Sequence, residues 1–148
     1  MAKTTMKKMN ALMKKLDLCM LTTVDGRGMP SGRPMSNNRE VDYNGSSYFF
    51  TWEKSQMVKE IKKNPNVSLS FIDSKLFKKL FISVSGKARL TKDKKEMREH
   101  WSKDLEIWFE DGIDTKGIMM IEVKARHIKC WSNEKEEELS VKKLLHLL

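Results

Sequence analysis

The chain has 148 residues, 39% hydrophobic and 33% charged, with 3 Pro and 7 Gly, a length that suits one folded domain and leaves too little for two ordinary ones. Apolar runs such as residues 18–21 and 118–121 are four residues long, far short of the roughly 20 that a membrane helix needs, so no membrane association is expected. The formal net charge is +9 and the pI is near 9.5, an excess that could favour nucleic acid or a small anion. However, the lysines fall in scattered doublets, among them Lys7-Lys8, Lys62-Lys63 and Lys142-Lys143, which is the pattern of a generally solvated basic surface. The early lysines are followed by no apolar stretch of signal-peptide type. With Cys19 and Cys130 read as reduced thiols in strands, a cytoplasmic location is expected.

Residues 5–16 read as an N-terminal helix, because Met6, Met9, Met13 and Leu16 recur at three- and four-residue steps. Residues 18–24 read as a strand, Asp25-Gly26 as a hairpin turn, and residues 29–37 as the return strand. Asn44-Gly45 is a second turn signal, followed by an aromatic strand over 47–51. Ser55 suits the N-cap of a helix over 56–63, which Asn64-Pro65 stops. Val67, Leu69 and Phe71 alternate with serines as in a half-buried strand. A longer alternating strand runs from Leu80 to Leu90 through Gly86, where a bulge is expected. Thr91 is the expected cap of a second main helix carrying Met97 and Trp101. Residues 118–123 and 125–131 read as two further strands, and residues 134–148 as a C-terminal helix. The whole chain, 1–148, reads as a single domain, mainly β with flanking helices. Closure into a small barrel would remove the exposed edges; an open α+β sheet is the alternative.

No catalytic signature of a familiar kind is present. GxSxG, Walker and GxGxxG patterns are absent, and His100, His127 and His146 have no metal-ligand spacing, so no metal site is expected and no catalytic acid or base can be nominated. The strand-to-helix corner from Tyr48 to Pro65 suits a phosphate. Thr51 and Ser55 bring hydroxyls, and a helix start brings free N–H groups and the positive dipole end. Arg33 could grip a phosphate bidentately or simply be a surface arginine. Trp52, Trp101, Trp108 and Trp131 could stack on a ligand or pack in a core or interface.

The order of these features resembles the pyridoxamine 5′-phosphate oxidase-like family of FMN-binding split barrels, in its general stress protein 26 branch. The resemblance spans about residues 6–131 and rests on Leu21-Thr22-Thr23-Val24-Asp25-Gly26, Arg33-Pro34-Met35, Tyr48-Phe49-Phe50-Thr51, Ser55 with Lys59-Glu60-Ile61, Asn64-Pro65-Asn66-Val67, Ser83-Val84-Ser85-Gly86-Lys87-Ala88, and His100-Trp101-Ser102 with Trp108-Phe109 and Asp111-Gly112. It implies a six-stranded Greek-key split β-barrel and a homodimer with FMN in grooves between subunits. The flavin strand would correspond to Arg33, Pro34, Met35 and Ser36, a second contact strand to Phe49, Phe50, Thr51 and Trp52, and the phosphate corner to Ser55, Gln56 and Met57. Trp101 or Trp108 would close the pocket from the partner subunit. Many relatives carry Ser-Arg-Lys or Ser-His-Lys at that corner. Losing one or two charge-assisted hydrogen bonds there, about 1.5–3 kcal/mol each, would weaken binding by about one to three orders of magnitude. The resemblance implies an FMN-dependent oxidoreductase or redox-linked general stress protein, with FAD open as the flavin. A degenerate split barrel with weak or no flavin binding and a basic nucleic-acid-binding module are the alternatives.

Overall fold

The computed structural model describes residues 7, 10–11, 13–14, 16, 18–36, 43–75, 78–132 and 135–140. Its strands are β1 (Leu18–Val24), β2 (Pro30–Ser36), β3 (Ser46–Trp52), β4 (Asn66–Lys75), β5 (Lys78–Thr91), β6 (Ile118–Ser132) and β7 (Lys135–Ser140). Helix α1 (Gln56–Lys63) follows β3, and α2 (Lys94–Glu99) with two 3-10 turns, Lys103–Ile107 and Gly112–Asp114, fills the β5–β6 connection. Within the expected N-terminal helix, Lys7, Asn10, Ala11, Met13 and Lys14 are helical and Met13 is buried, Leu16 at its expected end is not helical, and the rest of it lies outside the described residues.

Local chemistry sets most of these elements. The β1–β2 turn closes on the Asp25 carboxylate, which accepts the N–H groups of Arg27 at 2.8 Å and Met29 at 2.9 Å. These bonds hold its carboxyl below the usual range. The residue with positive φ in this turn is Gly28, at +80°. Ser55 caps α1, its Oγ accepting the Val58 N–H at 3.2 Å. The helix ends where the Asn64 N–H meets the Glu60 carbonyl at 2.8 Å and Pro65 forbids another turn.

The strands form one antiparallel sheet in the order β2-β1-β4-β5-β6-β3, with β7 also on β6. After β2 the chain crosses to the far edge as β3 and returns through α1 to place β4 beside β1. This is the curled sheet of a split barrel, as the family resemblance implies. One core gathers Leu21, Phe49, Leu69, Phe71, Ile82, Val84, Ile121, Val123 and Ile128 with Met57 and Ile61 of α1. A second forms on the other face of β3 and β6, from Phe50, Met97, Phe109, Ile118 and Met120. Cys19 and Cys130 are both buried thiols outside any disulfide, and burial pushes the Cys19 thiol up to about 12. Among the described residues no helix is long and apolar enough to cross a membrane.

Three sequence expectations are corrected. Residues 118–123 and 125–131 belong to one 15-residue strand, β6. Residues 118–123 are all buried because each face meets a different core, so alternation there is hidden. Residues 135–140 of the expected C-terminal helix form β7; residues 141–148 lie outside the described residues. β3 pairs with β6 only up to Lys124, and β7 takes over the same edge from His127. There, Glu136 reaches Lys129 and Glu138 reaches His127, each at 3.7 Å, so the acidic run answers basic cross-strand neighbours. Finally, α2 is capped by Asp93, whose carboxylate accepts the Lys95 N–H at 2.9 Å, and it stops before Trp101. Thr91 ends β5 and accepts the Asp93 N–H at 3.1 Å.

The bulge expected at Gly86 is present, with the extra residue on the facing strand. Ser85 pairs with His127 and Gly86 with Ala125, leaving Arg126 without a ladder partner on β5. A Cβ on Gly86 would lie 2.1 Å from the Lys124 carbonyl oxygen, so only glycine fits.

Candidate functional site

The corner between β3 and α1 is built by a tight turn. The Ser55 N–H donates to the Trp52 carbonyl at 3.0 Å, and the Glu53 N–H donates to the Gly117 carbonyl at 2.7 Å. Ser55 Oγ is occupied as an acceptor by the helix, which leaves its hydroxyl proton for a ligand. The first-turn N–H groups of Gln56 and Met57 have no intrahelical partner by position. Gln56, Lys54 and Lys59 are exposed around this start, and Thr51 is half-buried beside it. Glu53 is paired with Lys92, which holds its carboxyl low.

Two of the expected phosphate contacts, Met57 and Arg33, have structural roles. Met57 is buried in the central core, so its side chain faces away from any ligand at the helix start. Arg33 sits at the junction of β1, β2 and α1, 23% exposed, and pairs with Glu60, which is 6% exposed. Its guanidinium donates to Thr23 Oγ1 at 2.7 Å, the Leu21 carbonyl at 3.3 Å, Ser31 Oγ at 3.3 Å and Glu60 Oε1 at 3.4 Å. Thr23, fully buried, donates to the same Glu60 oxygen at 2.8 Å. On β2, Pro34 and Ser36 point outward while Met35 packs on the core.

The expected aromatic residues divide. Phe49 lies inside the central core. Phe50, Trp52 and Trp101 gather around Phe109: Trp101 meets Phe50 edge-on with centroids 5.0 Å apart, and Trp52 lies 4.9 Å from Phe109. Trp108 stays out of this group, 69% exposed, next to Ile107 at 80%. Leu18 and Met20 of β1, Ile72 of β4 and Phe81 of β5 are also exposed, and Phe81 pairs with Ile72 and Trp131 across the sheet.

Sequence reasoning missed a polar cluster on β3, β5 and β6. Glu122, nearly buried, accepts the Tyr48 hydroxyl at 3.1 Å and Arg89 Nε at 2.9 Å, while Arg89 also holds Glu96. Burial pushes the Glu122 carboxyl up, but the bonds from Arg89 and Tyr48 outweigh it and hold it below the ordinary value. Burial and the adjacent Glu122 raise the Tyr48 phenol. His100 stacks on Tyr48, centroids 3.4 Å apart, and burial lowers its pKa. A charged residue inside the apolar run Met119-Met120-Ile121-Glu122-Val123 was the available signal. A surface cleft of about 490 Å³ between β1, β4, β5 and β6 was also missed; it contains none of the thirteen expected cofactor residues. Among the described residues, no three His, Cys, Asp or Glu side chains gather as a metal site.

Toward an FMN phosphate the corner fits in part. The helix start, the Ser55 hydroxyl and two flexible lysines suit an anion, whereas the positions expected to add fixed positive charge hold an exposed glutamine and a core methionine.

Comparison with known proteins accords with this architecture. A protein related to general stress protein 26 of Bacillus subtilis, from Clostridium acetobutylicum, is 19% identical, with 97% of this chain and 99% of that one covered at a TM-score of 0.85. General stress protein 26 from Bacillus anthracis is 21% identical, covering 91% and 98%, at 0.74. A heme-binding protein from Mycobacterium smegmatis is 10% identical, covering 95% of this chain and 60% of that one, at 0.76. These likenesses show a shared fold. No match is found among curated proteins. The sequence profile described as pyridoxamine 5′-phosphate oxidase like matches residues 4–146, and the chain belongs to that family.

Proposed function

We propose that the chain is an FMN-binding split-barrel protein with a redox role, acting in the cytoplasm as a homodimer with a flavin site between subunits. The observation that carries this reading is the corner after β3, where a free hydroxyl proton and the open start of α1 stand beside Thr51 and exposed Trp52. Phosphate is favoured at such a helix start by the unpaired N–H groups and the dipole. The exposed Ile107–Trp108 pair supports a partner subunit, since two adjacent large apolar side chains on a surface suit an interface. When bound, the flavin would supply hydride or electron transfer, and the protein would orient it and exclude water.

A second reading, weak or absent flavin binding on the same fold, is favoured by Met57 in the core and by Arg33 committed to Glu60. Titration of the purified protein with FMN, followed by quenching of flavin fluorescence, decides between them. The Ser55→Asp variant sharpens the result, because aspartate keeps the helix cap but sets a negative charge against the phosphate. Saturable quenching that falls at least tenfold in affinity in Ser55→Asp, with unchanged melting temperature, supports the flavin reading. Absence of quenching refutes it, and a parallel heme titration asks whether the chain instead shares the ligand of its mycobacterial fold-mate.

A further inference from the structure

Arg126 and His127 are consecutive in β6, yet both are exposed, between buried Ala125 and buried Ile128. Neighbours in a regular strand point to opposite faces. The bulge explains the exception: Arg126 is the extra residue between the Ser85–His127 and Gly86–Ala125 pairs, so the strand turns two basic side chains to one face. Gly86 makes this possible by admitting the Lys124 carbonyl where a Cβ would stand. Arg126 and His127 line the surface cleft together with Lys87 of β5. Ser68, Ser85 and Asn66 add two hydroxyls and an amide, and none of the described cleft-lining residues is acidic. Among the described residues, Glu138 of β7 reaches His127 at 3.7 Å, with both side chains largely exposed.

We propose that this cleft is a second binding site, for a small phosphorylated molecule. Two cations, Lys87 and Arg126, with an imidazole and hydroxyl and amide groups on a concave wall make a donor set for phosphate oxygens, and Arg126 brings the planar fork that suits them. A volume of about 490 Å³ exceeds what a lone phosphate fills and falls in the range of small-molecule sites. The site shares no residue with the α1 corner, so it stands or falls apart from the flavin reading.

The test is amide NMR on the full chain, titrated at constant ionic strength with inorganic phosphate and then pyrophosphate. Saturable shifts are expected at Ser85, Gly86, Lys87, Arg126 and His127, with pyrophosphate binding more tightly. The double variant Lys87→Ala/Arg126→Ala should weaken pyrophosphate binding at least tenfold. Lys79→Ala/Lys116→Ala, which removes the same charge from exposed positions outside the cleft, should leave it unchanged. The amide spectra also report whether each variant is folded, and Ser85→Asp provides a second route to the same loss. Equal losses in both double variants, or unsaturable shifts spread over the basic surface, would overturn the proposal as a general charge effect. Binding to phosphatidylserine vesicles with no response to soluble pyrophosphate would overturn it in favour of a lipid surface.

Discussion

Gly86→Ala is the sharpest test of the β5–β6 geometry. The new Cβ would lie 2.1 Å from the Lys124 carbonyl oxygen, 2.9 Å from its carbon and 3.2 Å from the Ala125 Cα. All three are backbone atoms in the middle of the ladder, so no side chain can swing aside. Restoring even a 3.0 Å contact requires the strands to part by 0.9 Å. Overpacking of this kind costs about 1–3 kcal/mol, and each neighbouring ladder hydrogen bond that is lost adds about 1 kcal/mol. A total near 3 kcal/mol is expected, which for a domain of this size lowers the melting temperature by about 10 °C. Two other glycines calibrate the result. Gly28 has open space but a φ of +80°, so Gly28→Ala should cost about 1 kcal/mol from backbone conformation alone. Gly26 has open space and no positive φ, so Gly26→Ala should be neutral or slightly stabilising. Thermal unfolding followed by circular dichroism gives the order directly. A Gly86→Ala melting temperature within about 2 °C of the parent would refute the close approach of Lys124.

Glu60→Ala should cost about 3 kcal/mol in urea unfolding, because it leaves the Arg33 guanidinium and the buried Thr23 hydroxyl without their shared acceptor; Glu60→Gln should cost less, since its amide oxygen still accepts from both. Stability should fall in acid. The Glu122 carboxyl is held below its ordinary 4.5 in the folded state, so its contribution is fully present above that value and disappears as pH falls through the lower folded value. His100, lowered from 6.5 by burial, acts in the same direction, because protonation below 6.5 favours the unfolded chain. Glu122→Gln should therefore be less stable at neutral pH and lose less on acidification, read as a shallower acid limb in melting temperature against pH. Replacing Ile107 and Trp108 by serine should leave the melting temperature of a dilute sample unchanged and shift sedimentation toward monomer; an unchanged sedimentation profile would remove that surface from the proposed dimer.

Elements governed by neighbours in sequence were legible without the structure. The Asp25 turn, the Ser55 cap, the Pro65 stop and the alternation of β4 and β5 each depend on residues a few positions apart. What was not legible depends on partners far along the chain. β7 is acidic and carries no strand pattern of its own; its ladder with β6 makes it a strand, with Lys129 and His127 lying across from its carboxylates. The α2 cap was misplaced because Thr91 and Asp93 both suit the role, and only the end of β5 decides between them. The same limit holds at the candidate site. Arg33 is as compatible with a phosphate as with a carboxylate, and its carboxylate, Glu60, sits 27 positions away on another element.

That pairing changes how anion affinity is distributed over the molecule. An arginine bonded to a nearly buried carboxylate has much of its charge offset, and breaking the pair to reach a ligand would leave Glu60 unpaired, at a cost of about 3–5 kcal/mol. No phosphate contact of about 1.5–3 kcal/mol replaces that. The corner therefore depends on Lys54 and Lys59, whose exposed side chains must each lose up to about 2 kcal/mol of rotamer freedom to hold a ligand. At the β6 bulge, by contrast, Arg126 and Lys87 converge on one concave wall, and none of its described lining residues is acidic. Inorganic pyrophosphate lacks a ring to lie on the exposed Trp52, so it should prefer the cleft, whereas FMN could use both its phosphate and its ring at the corner. Adding pyrophosphate should consequently leave FMN affinity at the corner unchanged beyond its effect on ionic strength. Competition between the two ligands at constant ionic strength would show that they share one site, and would refute the separation of corner and cleft.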